Sequence, residues 1–185
     1  MRSMSEQVVE RISKAINGFD ARVQAAPDSS WTNQSPCEEW KARDVVAHVV
    51  NNLRRVHASI GGPAAAEVTP DEDIRGSWAA SRDALLGAVP TADMSATVNG
   101  PFGPMPAEQF IGGIITTDVL VHTWDLARAV QGDEVLDADL IAGAYAGLKP
   151  LDAMIRRPGV FSDKVESPAD ADMQTEFLSF LGRKV

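Results

Sequence analysis

Asp118 and His122 stand four residues apart in one of the most apolar stretches of the chain, Phe110-Ile-Gly-Gly-Ile-Ile-Thr-Thr-Asp-Val-Leu-Val-His-Thr-Trp-Asp-Leu-Ala127. In a helix this spacing puts both side chains on one face. Ile111, Ile115, Asp118, His122, Asp125 and Ala129 fall in the same stripe, so the acid and the imidazole continue a run that begins with two isoleucines. A carboxylate on a core-facing stripe is costly unless something neutralises it. A divalent cation does so, and Asp-x-x-x-His on one helix is a two-ligand arm for one. The competing reading is a satisfied buried pair, Asp118 with His122 or with an arginine from another helix.

A metal centre with an open position needs a third protein ligand from elsewhere. The chain has three histidines, His48, His57 and His122. His48 and His57 are nine residues apart and so lie near opposite faces of one helix. His48, bracketed by Ala47 and Val49-Val50 and beside Asn52, is the better placed to face inward; a packed or surface histidine is the alternative. His57 follows Arg54-Arg55 at the other margin. Asp125, one turn beyond His122, is the candidate to orient an imidazole or a helix neighbour; otherwise it is a surface acid pairing with Arg128 at i+3. Trp40, Trp78 and Trp124 read as core. Cys37 follows Ser35-Pro36 in a pre-helix loop with no histidine close in sequence, which argues against a catalytic thiol.

The elements that must position these residues are helical. Val9, Ile12, Ile16, Phe19 and Val23 mark a first helix over Ser5–Ala26, with Ser5 as its N-cap. Pro27–Pro36 is a loop. Val45, Val49, Leu53, Val56 and Ile60 mark a second helix over Lys41–Ile60, stopped by Gly61-Gly62-Pro63. Ile74, Trp78, Leu85, Leu86 and Val89 mark a third over Asp71–Val89. Asp93–Pro106, with Asn99-Gly100 and three prolines, is an irregular loop or short hairpin. A fourth helix runs from Pro106 to Gln131 with Gly132 as C-cap, its Gly112-Gly113 pair allowing close approach by a neighbour. Asp137 caps a fifth segment that reaches Leu148 before Pro150. Pro158–Pro168 is loop, and Ala171–Leu181 is a last short helix. The expected fold is all-α, one domain over residues 5–185: a four-helix bundle over 5–131 and a helical tail packed on it over 137–182.

Composition bounds the function. With 185 residues, 44% of them hydrophobic, the chain can bury one sizeable core. A net charge of −9 with no basic run excludes nucleic acid or an anionic membrane as main partner. The single cysteine rules out an internal disulfide and suits a reducing compartment. No segment has the length of a membrane span and the N-terminus has no apolar signal core, so the expected location is the cytoplasm.

Three blocks carry a family resemblance: Pro36-Cys-Glu-Glu-Trp40-Lys-Ala-Arg-Asp-Val-Val-Ala-His48, then Val121-His-Thr-Trp-Asp-Leu-Ala-Arg-Ala129, then Ala169-Asp-Ala-Asp-Met-Gln174 with Phe180-Leu-Gly-Arg183. In order and spacing they resemble actinobacterial proteins of the mycothiol-dependent maleylpyruvate isomerase group, within the wider DinB/YfiT-like metalloenzymes. The Phe180–Arg183 ending resembles the subgroup without a separate C-terminal domain. The resemblance implies a DinB-like four-helix bundle holding a divalent metal, zinc foremost, with His48, Asp118 and His122 as its ligands. The isomerase pattern has glutamate where this chain has Asp118, one methylene shorter. The implied chemistry is that of a mycothiol-dependent S-transferase or isomerase, a metal-held thiolate acting on a small electrophilic substrate. Such a centre lowers the pKa of a bound thiol or water, so a metal-dependent hydrolase and a metal-binding or regulatory module without turnover are the competing readings. The loop Asn99–Pro104 is the expected wall of the cofactor pocket. The mixed nitrogen and oxygen donors also suit nickel, iron or manganese, and the oligomeric state is left open between monomer and homodimer.

Overall fold

A computed structural model describes residues 3–156 and 161–185. The chain forms two compact units, one ending at Glu134 and one beginning at Val135. The boundary falls between the expected end of the bundle at 131 and the expected start of the tail at 137.

The first unit is built from helices α1 (Met4–Ala25), α2 (Ala42–Ser59), α3 (Ile74–Ala88) and a fourth helical path. That path runs through α4 (Ala107–Gln109), a π-helical turn (Phe110–Ile115) and α5 (Thr116–Val130). Helix α5 packs on α1 and α2, and α2 packs on α3. Their apolar stripes meet in a core that includes Ile12, Ile16, Phe19, Val45, Val49, Leu53, Trp78, Leu85 and Trp124, all buried. Trp78 and Trp124 are therefore core, as their spacing suggested. Along α5 only Asp118 and Arg128 are partly exposed, the pattern of a helix enclosed on most sides.

Helix ends follow local chemistry and correct several boundaries. Helix α1 begins one residue earlier than expected because Ser3, not Ser5, caps it. The Ser3 hydroxyl accepts from the Glu6 amide at 3.2 Å, and the Glu6 carboxylate accepts from the Ser3 amide at 2.6 Å, a reciprocal cap. Val8 rather than Val9 is the buried member of its first turn. Asp73 caps α3, accepting from the Arg75 amide at 3.1 Å, which moves that start past Asp71. Helix α5 ends on Gln131 in the left-handed conformation, φ 57°, not on Gly132. Among the described residues, none lies in a helix long and apolar enough to cross a membrane.

Between α3 and α4 two short strands, β1 (Thr97–Gly100) and β2 (Gly103–Pro106), pair antiparallel. The hairpin turns at Pro101-Phe102, two residues beyond the Asn99-Gly100 signal. Gly103 at φ 107° takes the conformation that side-chain-bearing residues avoid. The continuous α-helix expected over 106–131 is also corrected: the Phe110–Ile115 segment is π-helical. The Thr116 hydroxyl donates to the Ile111 carbonyl at 2.8 Å, the same carbonyl that the Thr116 amide reaches across the wider turn. Gly112 permits the close approach read from the sequence, since a Cβ there would lie 3.0 Å from a Val8 methyl.

The second unit contains α6 (Ala138–Leu148), α7 (Asp152–Ile155) and α8 (Met173–Phe180). Asp137 caps α6 through the Leu140 amide at 3.0 Å, as expected, and Asp172 caps α8 through Thr175 at 2.8 Å. Tyr145 on α6 packs against Phe177 and Phe180 of α8 with ring centroids 6.0 and 5.3 Å apart. Of the loop read over Pro158–Pro168, residues 158–160 lie outside the described residues, and 161–168 carry neither helix nor strand.

Candidate functional site

Helix α2 presents His48 and Asn52, one turn apart, toward Asp118 and His122 of α5. His48 Nε2 lies 3.3 Å and His122 Nε2 3.5 Å from the same carboxylate oxygen, Asp118 Oδ1. The two imidazoles meet edge to face at 4.7 Å between centroids. Three residues separated by up to 74 positions thus bring three donor atoms to one point. His57 is elsewhere, beside Gly62, lining a separate cleft with Arg54, Glu72 and Ser81. The shorter side chain of Asp118 does not keep it from the histidines.

Exposure falls steeply across the cluster. The His48 and Asp118 side chains are 29% and 25% exposed, His122 is 9% and Asp125 is 0%. The cluster therefore opens at the His48–Asp118 side and closes behind His122. Asp125 Oδ2 accepts from His122 Nδ1 at 2.9 Å, which fixes the imidazole ring and turns Nε2 toward Asp118. The i+3 surface pair with Arg128 does not form. Arg128 pairs with Glu134 at 2.7 Å and stacks over Trp124 at 4.6 Å.

The loop before α2 supplies the remaining wall. An isolated bridge pairs Gln34 with Lys41. Within the loop it closes, the Gln34 side-chain Nε2, with two hydrogens to donate, is ringed by the carbonyls of Ser35, Cys37, Glu38 and Trp40 at 2.9–3.2 Å. This holds Trp40 with its ring 4.7 Å from His48 and 5.6 Å from His122. Trp40 is half-buried, so the reading of it as core is corrected: it covers the two imidazoles. Cys37 Sγ donates to Asp125 Oδ2 at 3.6 Å, and the fold also sets His122 near it. Cys37, His122 and Asp125 form a second cluster with donor atoms within 4.8 Å of one another.

In the sequence Asn52 is no more than a neighbour of His48. Its Nδ2 donates to Asp118 Oδ2 at 2.8 Å and lies 3.0 Å from His48 Nε2. The signal that could have found it is its own spacing, i+4 from His48 on the same face.

The electrostatics follow from this crowding. Burial opposes charge on Asp118, but the adjacent His122 and then His48 outweigh it and hold the carboxyl far below the usual carboxylate range. Burial likewise opposes an imidazolium at His122. The Asp118 carboxylate, with hydrogen bonds to Asp118, Asp125 and Cys37, outweighs it and raises the pKa well above 6.5. The donor set also fits a divalent cation. With Nδ1–H committed to Asp125, His122 Nε2 faces a carboxylate oxygen and needs a proton or a cation between them. His48 Nε2 faces that same oxygen with the Asn52 amide beside it, and as a neutral imidazole it can offer that nitrogen's lone pair to a cation. Separations of 3.3 and 3.5 Å match the roughly 3.4 Å edge of a tetrahedron with bonds of ~2.1 Å.

The sequence profile of the mycothiol maleylpyruvate isomerase N-terminal domain matches residues 12–127, a span that includes His48, Asn52, Asp118, His122 and Asp125. Two uncharacterized proteins of Mycobacterium tuberculosis, MT0763 and Rv0738, are each 34% identical over 174 residues, covering 93% of this chain and 95% of the relative. The crystal structure of the mycothiol-dependent maleylpyruvate isomerase superposes with a TM-score of 0.61 at 16% identity, covering 85% of this chain and 73% of that one. At that identity the likeness is one of fold.

Proposed function

The chain belongs to the mycothiol maleylpyruvate isomerase N-terminal domain family, and on that premise we propose that it is a metal- and thiol-dependent isomerase or S-transferase. His48, Asp118 and His122 would hold a divalent ion, zinc foremost with nickel, iron or manganese also suited to these donors, and mycothiol or a similar low-molecular-weight thiol would be its co-substrate. The observation that carries this reading is the convergence of the three donor atoms on one point beside partly exposed side chains. When bound, such an ion supplies a Lewis acid that makes a thiol or water acidic enough to act as a nucleophile near neutral pH.

The residues prepare that chemistry. Two neutral imidazoles and one carboxylate carry a single negative charge, which leaves a divalent site net positive and favourable to an anionic sulfur. Asp125 fixes the His122 ring, and its complete burial keeps water from competing for that hydrogen bond. Trp40 shields the imidazoles on the loop side, while the 25–29% exposure of Asp118 and His48 leaves an approach for a small substrate. Addition of a thiol sulfur to an electrophilic cis double bond makes the linking bond single and free to rotate. Expulsion of the same thiol then yields the trans isomer, with no net consumption of thiol. Displacement of a leaving group by the sulfur gives S-transfer instead.

Assays of purified, metal-loaded protein with mycothiol and either a cis-enone acid or a generic alkylating electrophile test the reading. Thiol-dependent turnover is expected. Turnover of an ester or amide without thiol would make the protein a hydrolase, and tight metal binding without turnover would make it a binding module. Asp125→Asn is expected to weaken divalent-metal affinity about tenfold or more, as loss of a ligand's hydrogen-bond partner does. Competition against a chromophoric chelator reads this, and unchanged affinity would reduce Asp125 to a packing residue.

A further inference from the structure

We propose that Asn52 is the positioning residue of this centre, pinning Asp118 so that it offers a single oxygen to the metal. The inference rests on the metal-site reading above. The Asn52 amide is 2.8 Å from Asp118 Oδ2 and 3.0 Å from His48 Nε2, and Nδ2 has two hydrogens, one for each acceptor. Its orientation is fixed by chemistry: turning the amide over would set its carbonyl oxygen against the carboxylate. Oδ2 is thereby occupied, and Oδ1 is the oxygen that faces both histidines.

This matters because aspartate, unlike glutamate, swings on a short stem. Its Cβ is set by α5, so the rotation of its carboxyl group decides whether one or two oxygens reach a cation. An unheld carboxylate can chelate with both oxygens and close a coordination position that a thiol needs. Asn52, held on α2 and half-buried, removes that freedom from the opposite helix. The contact with His48 has a separate use. An N–H aimed at Nε2 favours the tautomer with its lone pair on that atom, the form that a metal ligand needs. With an ion held there, His48 Nε2 would serve the ion, and Asn52 would still have Asp118 Oδ2 as its partner.

The test compares wild type with Asn52→Ala, which removes both bonds, and Asn52→Ser, which keeps a short polar group and guards against misfolding of the first. Zinc affinity, measured by chelator competition, is expected to fall about 10–100-fold in Asn52→Ala and less in Asn52→Ser. Infrared difference spectra on zinc addition are expected to give the wide carboxylate stretch splitting of one-oxygen ligation in wild type and a narrower splitting in Asn52→Ala. A purely structural Asn52 would lower the melting temperature and leave both readouts unmoved, and that result overturns the proposal. Equal zinc binding by wild type and both variants removes the role of Asn52 alone. Failure of wild type to bind zinc or another divalent ion removes the functional reading itself.

Discussion

His122→Ala is expected to abolish tight divalent-metal binding and, with it, thiol-dependent turnover. Loss of an outer hydrogen-bond partner costs a metal site about 10–100-fold in affinity, so loss of a donor atom is expected to cost at least about 1,000-fold. His122 is the hinge of the cluster, because one nitrogen faces Asp118 and the other is held by Asp125. Its removal takes a donor from the centre and a hydrogen bond from a carboxylate with no exposed surface. Removing one partner of a buried charged pair destabilises the fold by about 3–5 kcal/mol, still below most of the 5–15 kcal/mol typical of a domain. The variant should therefore remain folded, which circular dichroism can check. His122→Gln restores an amide donor without an imidazole and should recover part of the stability but none of the affinity. Zinc binding by His122→Ala within tenfold of wild type would exclude His122 as a ligand and return the cluster to a buried ion pair.

The parts of this site that could be read from the sequence are those set by one helix. Asp118, His122 and Asp125 share a face because α5 keeps its α-helical period through them, and an acid on an apolar face is conspicuous. His48 was separable from His57 because their faces differ and only one lies beside the valine stripe. The bundle was legible for the same reason, each stripe being local and regular. What depended on two elements at once was not. Asn52 is an ordinary polar residue until α2 and α5 are side by side. Trp40 looked like core because its aromatic character is visible in the sequence, whereas its position over two imidazoles depends on the Gln34 amide that organises the loop. Cys37 has no histidine nearby in sequence, and the fold brings His122 to it from 85 positions away. The π-helical turn includes the Gly112-Gly113 pair, and the need for a glycine at 112 shows only once Val8 of another helix is packed against it.

The same cluster makes stability and metal affinity move in opposite directions with pH. Without a metal ion, the favourable pairing of Asp118 with His122 needs both charges. Asp118 has its pKa depressed from 3.8, so its contribution is present above that value and is lost progressively as pH falls toward the folded value. His122 has its pKa raised above 6.5, so its contribution is complete below 6.5 and is lost as pH rises through the folded value. Chelator-treated protein should accordingly be most stable between about pH 5 and 6.5, with a falling melting temperature on the alkaline side. Metal binding must displace the His122 proton, so zinc affinity should rise with pH over that same alkaline window, by up to about tenfold per unit for one proton released. Asp118→Asn tests the link, because it removes the charge that holds the proton on His122. The variant should lose the alkaline decline in stability and most of the pH slope of metal binding, along with roughly 1,000-fold or more in affinity at neutral pH, as a lost donor would. If Asp118→Asn keeps the wild-type slope, the displaced proton comes from another group, and the coupling between Asp118 and His122 does not govern the centre.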